Sequence, residues 1–408
     1  MKQSARNDFA YIDRLYGLPC VSIISDLIDN FDDQKGFLYE HNAHQPKYFA
    51  NVNATVALNL FFCDIIDNSK KNVIAQTIVN LKNNDYNNGR YTENNVWDAA
   101  EGENVFSTAL SCYALMCLTP SKYASHIETG INWVLDSRKP SLLWSLYGDV
   151  YDENAQISQY VMLMLRKAFK MGFLPKSRWS KICAEIYGKS LFLLGNEQDL
   201  ASLISLLSLC QIAKDNYSVS SELRNRVNGI ILKKEDWYIS YLNTAQLTAD
   251  GKKKSMYTYN PVYLISLIQM GWSPLHECVI KMKELIVEDI RKHWNKFPPY
   301  IWRTHSGEVQ SFIVSMSLYA LHYWVKKTKN ILLEEHEKNT SEGGLKVMSA
   351  NKPSREASEN IKDISKISIS VEGKSTPQFN LAFDNAKVEA SQRNVFNMQE
   401  KMCKSFLV

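Results

Sequence analysis

The sequence predicts an all-α protein in which six helical hairpins form a closed (α/α)6 toroid, followed by a mostly disordered C-terminal tail. Three observations support this prediction. A two-helix unit recurs at intervals of about 46 to 64 residues. The second helix of each unit is almost wholly apolar. All 21 Tyr and all nine Trp precede residue 340, so these two large side chains, which help to build a core, are missing from the end of the chain.

Composition narrows the function classes before any motif is considered. The chain has 408 residues, 45% of them hydrophobic, and a net charge of +4, which gives no field strong enough to indicate a nucleic-acid partner. The first residues contain no apolar stretch typical of a secretory signal, and no segment is long enough to span a membrane. The eight cysteines are scattered within apolar patterns. We therefore expect a cytoplasmic protein without disulfides.

The change in composition also sets the predicted domain boundary. Residues 1–339 form the expected toroid domain, and residues 340–408 a low-complexity, largely disordered tail. Within the tail, the strand-like stretch 366–371 and the mildly apolar stretch 379–383 are candidates for docking a protein partner. A fully solvated tail is the favoured interpretation.

Each repeat has the same order of elements. An amphipathic helix ends in Asn, Asp and Gly residues, an aromatic residue follows, and an apolar helix begins after a polar loop. The aromatic residue is Phe37 in the first copy and Tyr91 in the second. The second helices are predicted at 52–60, 105–115, 155–169, 200–213, 261–270 and 309–325.

The architecture follows from the burial that such helices require. A helix that is apolar all round must be buried on every side. Six of them are buried together if they form an inner ring and their amphipathic partners form an outer ring. A closed ring of this kind needs none of the capping repeats of an open solenoid.

The repeat resembles that of terpenoid cyclases and protein prenyltransferase β subunits. The clearest matches are Asp85–Tyr91 with Phe106–Ala109, and Asp32–Phe37 with Ala54–Ala57; the resemblance extends over roughly residues 20–330. It implies an isoprenoid or other apolar small molecule in a central cavity lined by aromatic side chains. The residues expected to bind such a substrate are Trp97, Phe106, Tyr113, Tyr147, Tyr160, Tyr259, Tyr263, Trp302 and Phe312.

The catalytic signatures of that superfamily are missing. The Asp-x-Asp-Asp sequence of class II cyclases is absent, and its nearest equivalent, Asp29–Asp33, fits the turn of the first repeat. The magnesium motif Asp-Asp-x-x-Asp is also absent. No cysteine follows an Asp-x pair as the prenyltransferase zinc site requires, and His276-Glu277-Cys278 has the wrong first residue. The sequence therefore predicts no metal and no cofactor, and whether the protein is an enzyme stays open.

Acidic residues ahead of three inner helices are the best candidate site. Asp98, Glu101 and Glu103 precede the second inner helix. Carboxylates there complement the helix dipole, so N-terminal capping is the favoured interpretation and acid/base chemistry the alternative. Corresponding loops carry further candidates, and because rim loops of a ring converge, the full catalytic set would be Asp98, Glu101, Glu103, Asp152, Glu153, His305 and Glu308.

Three functions remain open at this stage. The first is a terpene cyclase-like protein that folds an apolar substrate in the cavity, with carboxylates acting at the rim. The second is a non-catalytic toroid that serves as a protein-interaction or lipid-binding scaffold. The third is an (α/α)6 glycan-active enzyme, which needs two opposed carboxylates in an open cleft with aromatic platforms. The Gly-plus-aromatic repeat argues against this third function.

Overall fold

A computed structural model describes the greater part of residues 3–347. The described ranges are 3–37, 40–42, 45–47, 50–82, 96–99, 102–138, 142–145, 154–197, 199–232, 260–293 and 311–347.

These ranges contain helices that alternate between an outer and an inner layer. The outer helices are α1 (Gln3–Tyr16), α2 (Cys20–Asp29), α4 (Asn68–Asn80), α6 (Ala124–Asp136), α8 (Lys176–Leu194), α10 (Ser221–Leu232) and α12 (Glu277–His293). The inner helices are α3 (Ala50–Phe62), α5 (Val105–Leu118), α7 (Ala155–Lys170), α9 (Leu200–Ala213), α11 (Asn260–Gln269) and α13 (Ser311–Val347). Two short antiparallel hairpins, β1–β2 (Glu40–Asn42, Gln45–Lys47) and β3–β4 (Asp98–Ala99, Gly102–Glu103), precede α3 and α5.

Inner helices α3, α5 and α9 contain no exposed residue, as their apolar sequences predict, whereas α7 ends in the exposed Lys170. Helix α9 contains no charged residue, and its span from Leu203 to Cys210 is buried without interruption. Burying one Leu side chain stabilises a fold by about 1.5–3 kcal/mol, so this layer supplies much of the driving force for folding. Outer helices bury one face only, as in α8, where Phe192 is 73% exposed and Ile186 is fully buried.

Side-chain contacts close the inner helices into a ring. Helices α3, α5, α7, α9 and α11 pack against one another in that order. Asn59 of α3 donates to Ser315 of α13 at 3.1 Å, and the rings of Phe62 and Tyr319 on the same two helices stack at 5.5 Å. Both contacts advance together along the two chains, so α3 and α13 are parallel. Gln269 of α11 acts on the pKa of the Tyr323 hydroxyl of α13, so these two side chains are near each other. The predicted (α/α)6 toroid is confirmed.

Polar side chains at the inner-helix N-termini satisfy backbone amides that have no partner within the helix. Asn104 accepts from the amide of Ser107 at the start of α5. Asn154 does the same at α7 through the amides of Gln156 and Ile157. Asn104, directly after the acidic residues, is therefore the N-cap of α5.

Helix α1 is an addition that the repeat pattern does not predict. The Asp13 carboxylate accepts hydrogen bonds from the amides of Cys20 and Val21 and so fixes the turn between α1 and α2. Asp8 contacts His322 of α13 at 3.2 Å. Helix α1 thus covers the outer side of the last inner helix.

The chain divides into two compact units, Met1–Lys327 and Thr328–Val408. Helix α13 continues to Val347, eight residues beyond the boundary predicted at 339/340. The predicted tail beyond that point, including both candidate docking stretches, lies outside the described residues. Among the helices that the structure describes, none combines the length and apolar character needed to cross a membrane.

Candidate functional site

An acidic hairpin stands directly before inner helix α5. Strands β3 and β4 pair antiparallel, with Asp98 opposite Glu103 and Ala99 opposite Gly102. The amide of Asn104 donates to the carbonyl oxygen of Trp97 at 3.2 Å and closes the base of the hairpin. Two of the predicted catalytic residues, Asp98 and Glu103, are thereby brought to opposed positions at the N-terminal rim of the ring.

The β3–β4 hairpin is fixed by a hydrogen bond from the fourth residue of inner helix α5. Thr108 is the fourth residue of α5, and its hydroxyl donates to the carbonyl oxygen of Trp97 at 3.1 Å. Ser158, the fourth residue of α7, accepts from the amide of Trp144 at 2.9 Å. A polar residue at this position therefore anchors the chain entering each of these two inner helices.

The first repeat uses the same position with an amide side chain. Asn53, the fourth residue of α3, accepts from the amide of Phe37 at 2.6 Å and donates to the carbonyl oxygen of Phe37. Gly36 comes so close that a Cβ there would lie 1.9 Å from the Asn53 amide oxygen, and its φ of +90° also requires glycine. The Gly-aromatic pair of the first repeat is thus explained by the anchor.

Trp97 packs into the outer layer, contrary to the expectation that it binds substrate. Its indole N–H donates to the carbonyl oxygen of Ile78 on α4 at 2.6 Å, and its side chain is fully buried. The Lys82 ammonium lies 4.1 Å from the ring centroid. Trp144 repeats this environment, donating to Val134 at 2.8 Å beneath Arg138. The ring of Trp97 is therefore held by outer helices and does not face the interior of the toroid.

Phe106 and Tyr160 form the aromatic part of the candidate site. They occupy the second residue of α5 and the sixth of α7, and their rings meet edge to face at a centroid distance of 5.1 Å. Both side chains keep partial exposure, although most of their neighbours on these helices are buried. An accessible aromatic pair thus lies at the start of the inner helices, close in sequence to the acidic hairpin.

A polar side-chain contact joins two inner helices that are not neighbours in the ring. Gln159 of α7 donates to the hydroxyl of Ser266 on α11 at 3.5 Å, although α9 lies between these helices. Asn59 and Ser315 form another polar contact between inner helices, nearer the C-terminal end of α3. Polar side chains are therefore present on the inward faces of the ring at both levels.

The remaining predicted substrate-binding aromatics are dispersed. Tyr113 lies toward the opposite end of the inner helices, where its ring is 6.0 Å from that of Phe62. Tyr263 is 2% exposed within α11. Phe312 belongs to α13. Tyr113 and Phe106 lie seven residues, or about two helical turns, apart on α5. That these aromatics line one continuous cavity stays a prediction.

Several predicted site residues lie outside the described part of the chain, and their convergence at the rim stays a prediction. They are Glu101, Tyr147, Asp152, Glu153, Tyr259, Trp302, His305 and Glu308.

The two sequence patterns that approach catalytic motifs have local roles. The Asp32 carboxylate accepts from the amides of Gln34 and Lys35, and these hydrogen bonds lower its pKa. His276 accepts from the amide of Cys278 at 3.3 Å, at the first turn of α12. Both patterns therefore belong to a turn and to a helix start, as the sequence analysis favoured.

Comparison with known proteins gives limited guidance. No protein-family model matches the chain, and no curated protein matches it. Among solved structures, a GH76 α-mannanase of Bacteroides thetaiotaomicron, determined as a selenomethionine derivative, is similar with a TM-score of 0.48 and 11% sequence identity. The match covers 77% of this chain and 96% of the mannanase. A likeness of this degree does not transfer an activity. Membership of the terpenoid cyclases or prenyltransferases finds no support in these comparisons.

The anchoring position was missed at the sequence level although its signal is present. The sequence pattern predicts Tyr91 as the aromatic residue of the second repeat, whereas the anchored aromatic residue is Trp97. The signal is a capping Asn followed four residues later by a polar residue. Asn104 precedes Thr108 in this way, and Asn154 precedes Ser158. A search for a polar residue four positions after a capping Asn would have found it.

Proposed function

We propose that this protein binds a glycan at the N-terminal rim of the toroid, and that the acidic hairpin supplies carboxylates for cleavage of a glycosidic bond. The observation that carries the proposal is the part-exposed Phe106–Tyr160 pair, whose Phe106 follows the Asp98–Glu103 hairpin by three residues at the start of α5. This is the third of the functions that the sequence leaves open.

The aromatic pair supports sugar binding through its shape and exposure. An aromatic ring offers a flat apolar face against which the C–H face of a pyranose packs, and the Tyr160 hydroxyl adds a hydrogen-bonding group at its edge. An edge-to-face arrangement fixes both rings without help from a ligand. The platform is therefore preorganised, which lowers the entropic cost of binding.

The hairpin supports acid/base chemistry through its register. Glycoside hydrolysis generally uses two carboxyl groups about 5 to 10 Å apart, one as acid and one as base or nucleophile. Opposed residues of an antiparallel pair have Cβ atoms about 4.5–5.5 Å apart. Asp98 and Glu103 hold opposed positions, and Asp152, Glu153, His305 and Glu308 of the other rim loops are further candidates for the second group.

The polar contact between α7 and α11 disfavours the isoprenoid hypothesis. A polyprenyl chain would need an apolar cavity along the axis, but Gln159 and Ser266 meet between these two inner helices. Opening the contact would leave two buried polar groups facing hydrocarbon, at a cost of about 1–3 kcal/mol each. A ligand held at the rim avoids this cost.

The proposal is tested by incubating the protein with a panel of α- and β-linked oligosaccharides and measuring reducing ends, with binding measured by calorimetry. We expect Asp98→Asn and Glu103→Gln to lower hydrolysis by about 100-fold or more while binding is retained. Phe106→Ala and Tyr160→Ala should weaken binding by about tenfold. Glu128→Gln and Phe192→Ala, exposed on outer helices, are the matched controls and should behave as wild type.

Failure of every glycan to bind or react would overturn the proposal. Mass spectrometry of the purified protein supplies the contrasting result, because a co-purified isoprenoid would restore the cyclase-like hypothesis. The cytoplasmic location and a protein partner at the tail stay predictions.

A further inference from the structure

Four aromatic residues form a cluster at the opposite end of the ring, where the inner helices end. This C-terminal aromatic cluster consists of Phe62, Tyr113, Tyr319 and Tyr323. The Phe62 ring lies 6.0 Å from Tyr113 and 5.5 Å from Tyr319, and Tyr319 lies 6.0 Å from Tyr323. The cluster thus brings together side chains of α3, α5 and α13.

All four side chains retain partial exposure at a level where neighbouring inner-helix residues are buried. The hydrogen-bonded pair Asn59–Ser315 lies about one helical turn deeper on α3 and α13 and is buried. The cluster therefore lies next to a buried polar pair and is partly accessible to solvent.

Basic residues lie near two members of the cluster, Tyr323 and Tyr113. The Lys327 ammonium lies 5.6 Å from the Tyr323 ring centroid. The charge of Arg166 on α7 acts on Tyr113, and the charge of Lys167 acts on Cys117 one turn beyond Tyr113. Arg166 is also paired with Asp215, which positions its guanidinium at this end of the ring.

The tyrosine hydroxyls of the cluster are held in their neutral form. Burial raises the pKa of Tyr113, an effect that outweighs the opposing charge of Arg166. Burial likewise raises the pKa of Tyr319, together with the neighbouring groups Cys63, Tyr323 and Tyr113. A neutral phenol donates a hydrogen bond, so the cluster offers donors as well as ring faces.

We propose that the C-terminal aromatic cluster binds a small planar aromatic anion, whose ring stacks among Phe62, Tyr113 and Tyr319 and whose charge meets Lys167 and Lys327. Aromatic faces recognise a flat ring, and the basic residues supply the complementary charge. This site is at the other end of the toroid from the proposed glycan site and does not depend on it.

The test uses 1-naphthyl phosphate as the probe, with 1-naphthol and inorganic phosphate as matched ligands that lack the charge or the ring. We expect calorimetry on the full chain to show binding of naphthyl phosphate, at least about tenfold weaker binding of naphthol, and no binding of phosphate alone. Affinity for the probe should fall as salt rises, because the basic residues are partly exposed.

Amino-acid substitutions test whether the probe binds at the C-terminal aromatic cluster. Tyr319→Leu keeps an apolar side chain within α13 and should weaken binding of the probe by about tenfold or more. Lys167→Gln, which changes only a part-exposed side chain, should reduce the difference between naphthyl phosphate and naphthol and tests the site even if Tyr319→Leu fails to fold. Lys181→Gln and Phe192→Ala on α8 are matched controls and should bind as wild type.

Equal affinities for naphthyl phosphate and naphthol would overturn the proposal, as would a Lys167→Gln variant that binds the probe like wild type. Loss of glycan binding in Phe106→Ala with unchanged probe binding would separate the two sites.

Discussion

Asn59 and Ser315 are 256 residues apart in sequence and 3.1 Å apart in space. Their hydrogen bond connects the first inner helix with the last. Contacts between neighbouring repeats cannot distinguish a closed ring from an open stack of hairpins, because both arrangements contain them. Substitution of this pair is therefore the most direct test of whether the inner helices form a closed ring.

A double-mutant cycle on this pair tests the closure. We expect Asn59→Ala and Ser315→Ala each to lower the free energy of unfolding, since each leaves a buried polar partner behind. The coupling energy should be about 0.5–1.5 kcal/mol, measured by urea denaturation. The exposed Ser25→Ala is the control. Strictly additive effects would mean that α3 and α13 do not meet.

Glycines in two outer helices provide a test of the packing between layers. A Cβ at Gly130 of α6 would lie 2.4 Å from the Cys112 sulfur and 3.4 Å from the Trp97 ring, so Gly130→Ala should destabilise the protein by about 1–3 kcal/mol. At Gly188 of α8 an added Cβ meets nothing within 4 Å. There alanine should stabilise by up to about 1 kcal/mol through its helix propensity. Thermal unfolding of both variants measures the contrast, and equal effects would contradict the packing described here.

Lys82 should make stability depend on pH. Burial lowers its pKa from 10.5 to about 8, even though the Trp97 ring attracts the ammonium. Between these two values the unfolded chain binds more protons at this residue than the folded protein does. Its contribution to stability therefore rises with pH from about 8 to 10.5.

The comparison to make is between wild type and Lys82→Met, in urea denaturation at pH 7 to 10.5. Wild type should gain stability relative to the variant as pH rises, and the exposed Lys70→Met control should show no such trend. A difference that is constant across this range would show that Lys82 keeps its ordinary pKa.

Cysteine reactivity should follow burial. All seven cysteines in the described ranges are free thiols. Burial raises the pKa of Cys112 to about 12 and that of Cys183 to about 11, so neither is a reactive thiolate at neutral pH. Because Cys183 is partly exposed and Cys112 is fully buried, iodoacetamide at pH 8 should label Cys183 slowly and Cys112 only after unfolding. Mass spectrometry of tryptic peptides gives the order, and rapid native labelling of Cys112 would contradict the structure.

The fold was predictable from the sequence because it depends on long apolar segments, which are recognisable in the amino-acid sequence. The stretch between Asp199 and Lys214 has no charge and forms the buried helix α9, and all six predicted inner helices overlap the observed ones. The alternation of amphipathic and apolar helices therefore determined the layers without any motif.

The site was less predictable because side-chain roles depend on which layer a residue faces. Trp97 and Phe106 are nine positions apart and both aromatic, yet Trp97 donates to an outer helix while Phe106 meets Tyr160 across the inner layer. Residue type alone does not distinguish the roles of these two aromatic side chains. The opposed register of Asp98 and Glu103 was equally hidden, since a two-residue strand has no alternation to detect.

The partner of Asn59 is synthesised late. When the ribosome has completed α3, α5 and α7, the side chains that finally cover them on α11 and α13 have not yet emerged. A nascent chain of this protein thus carries several nearly uncharged helices with an unfinished interface, a state prone to aggregation. Contacts of such long sequence separation also form slowly. Cellular yield should therefore depend on holdase chaperones that shield the growing chain until its last helix arrives.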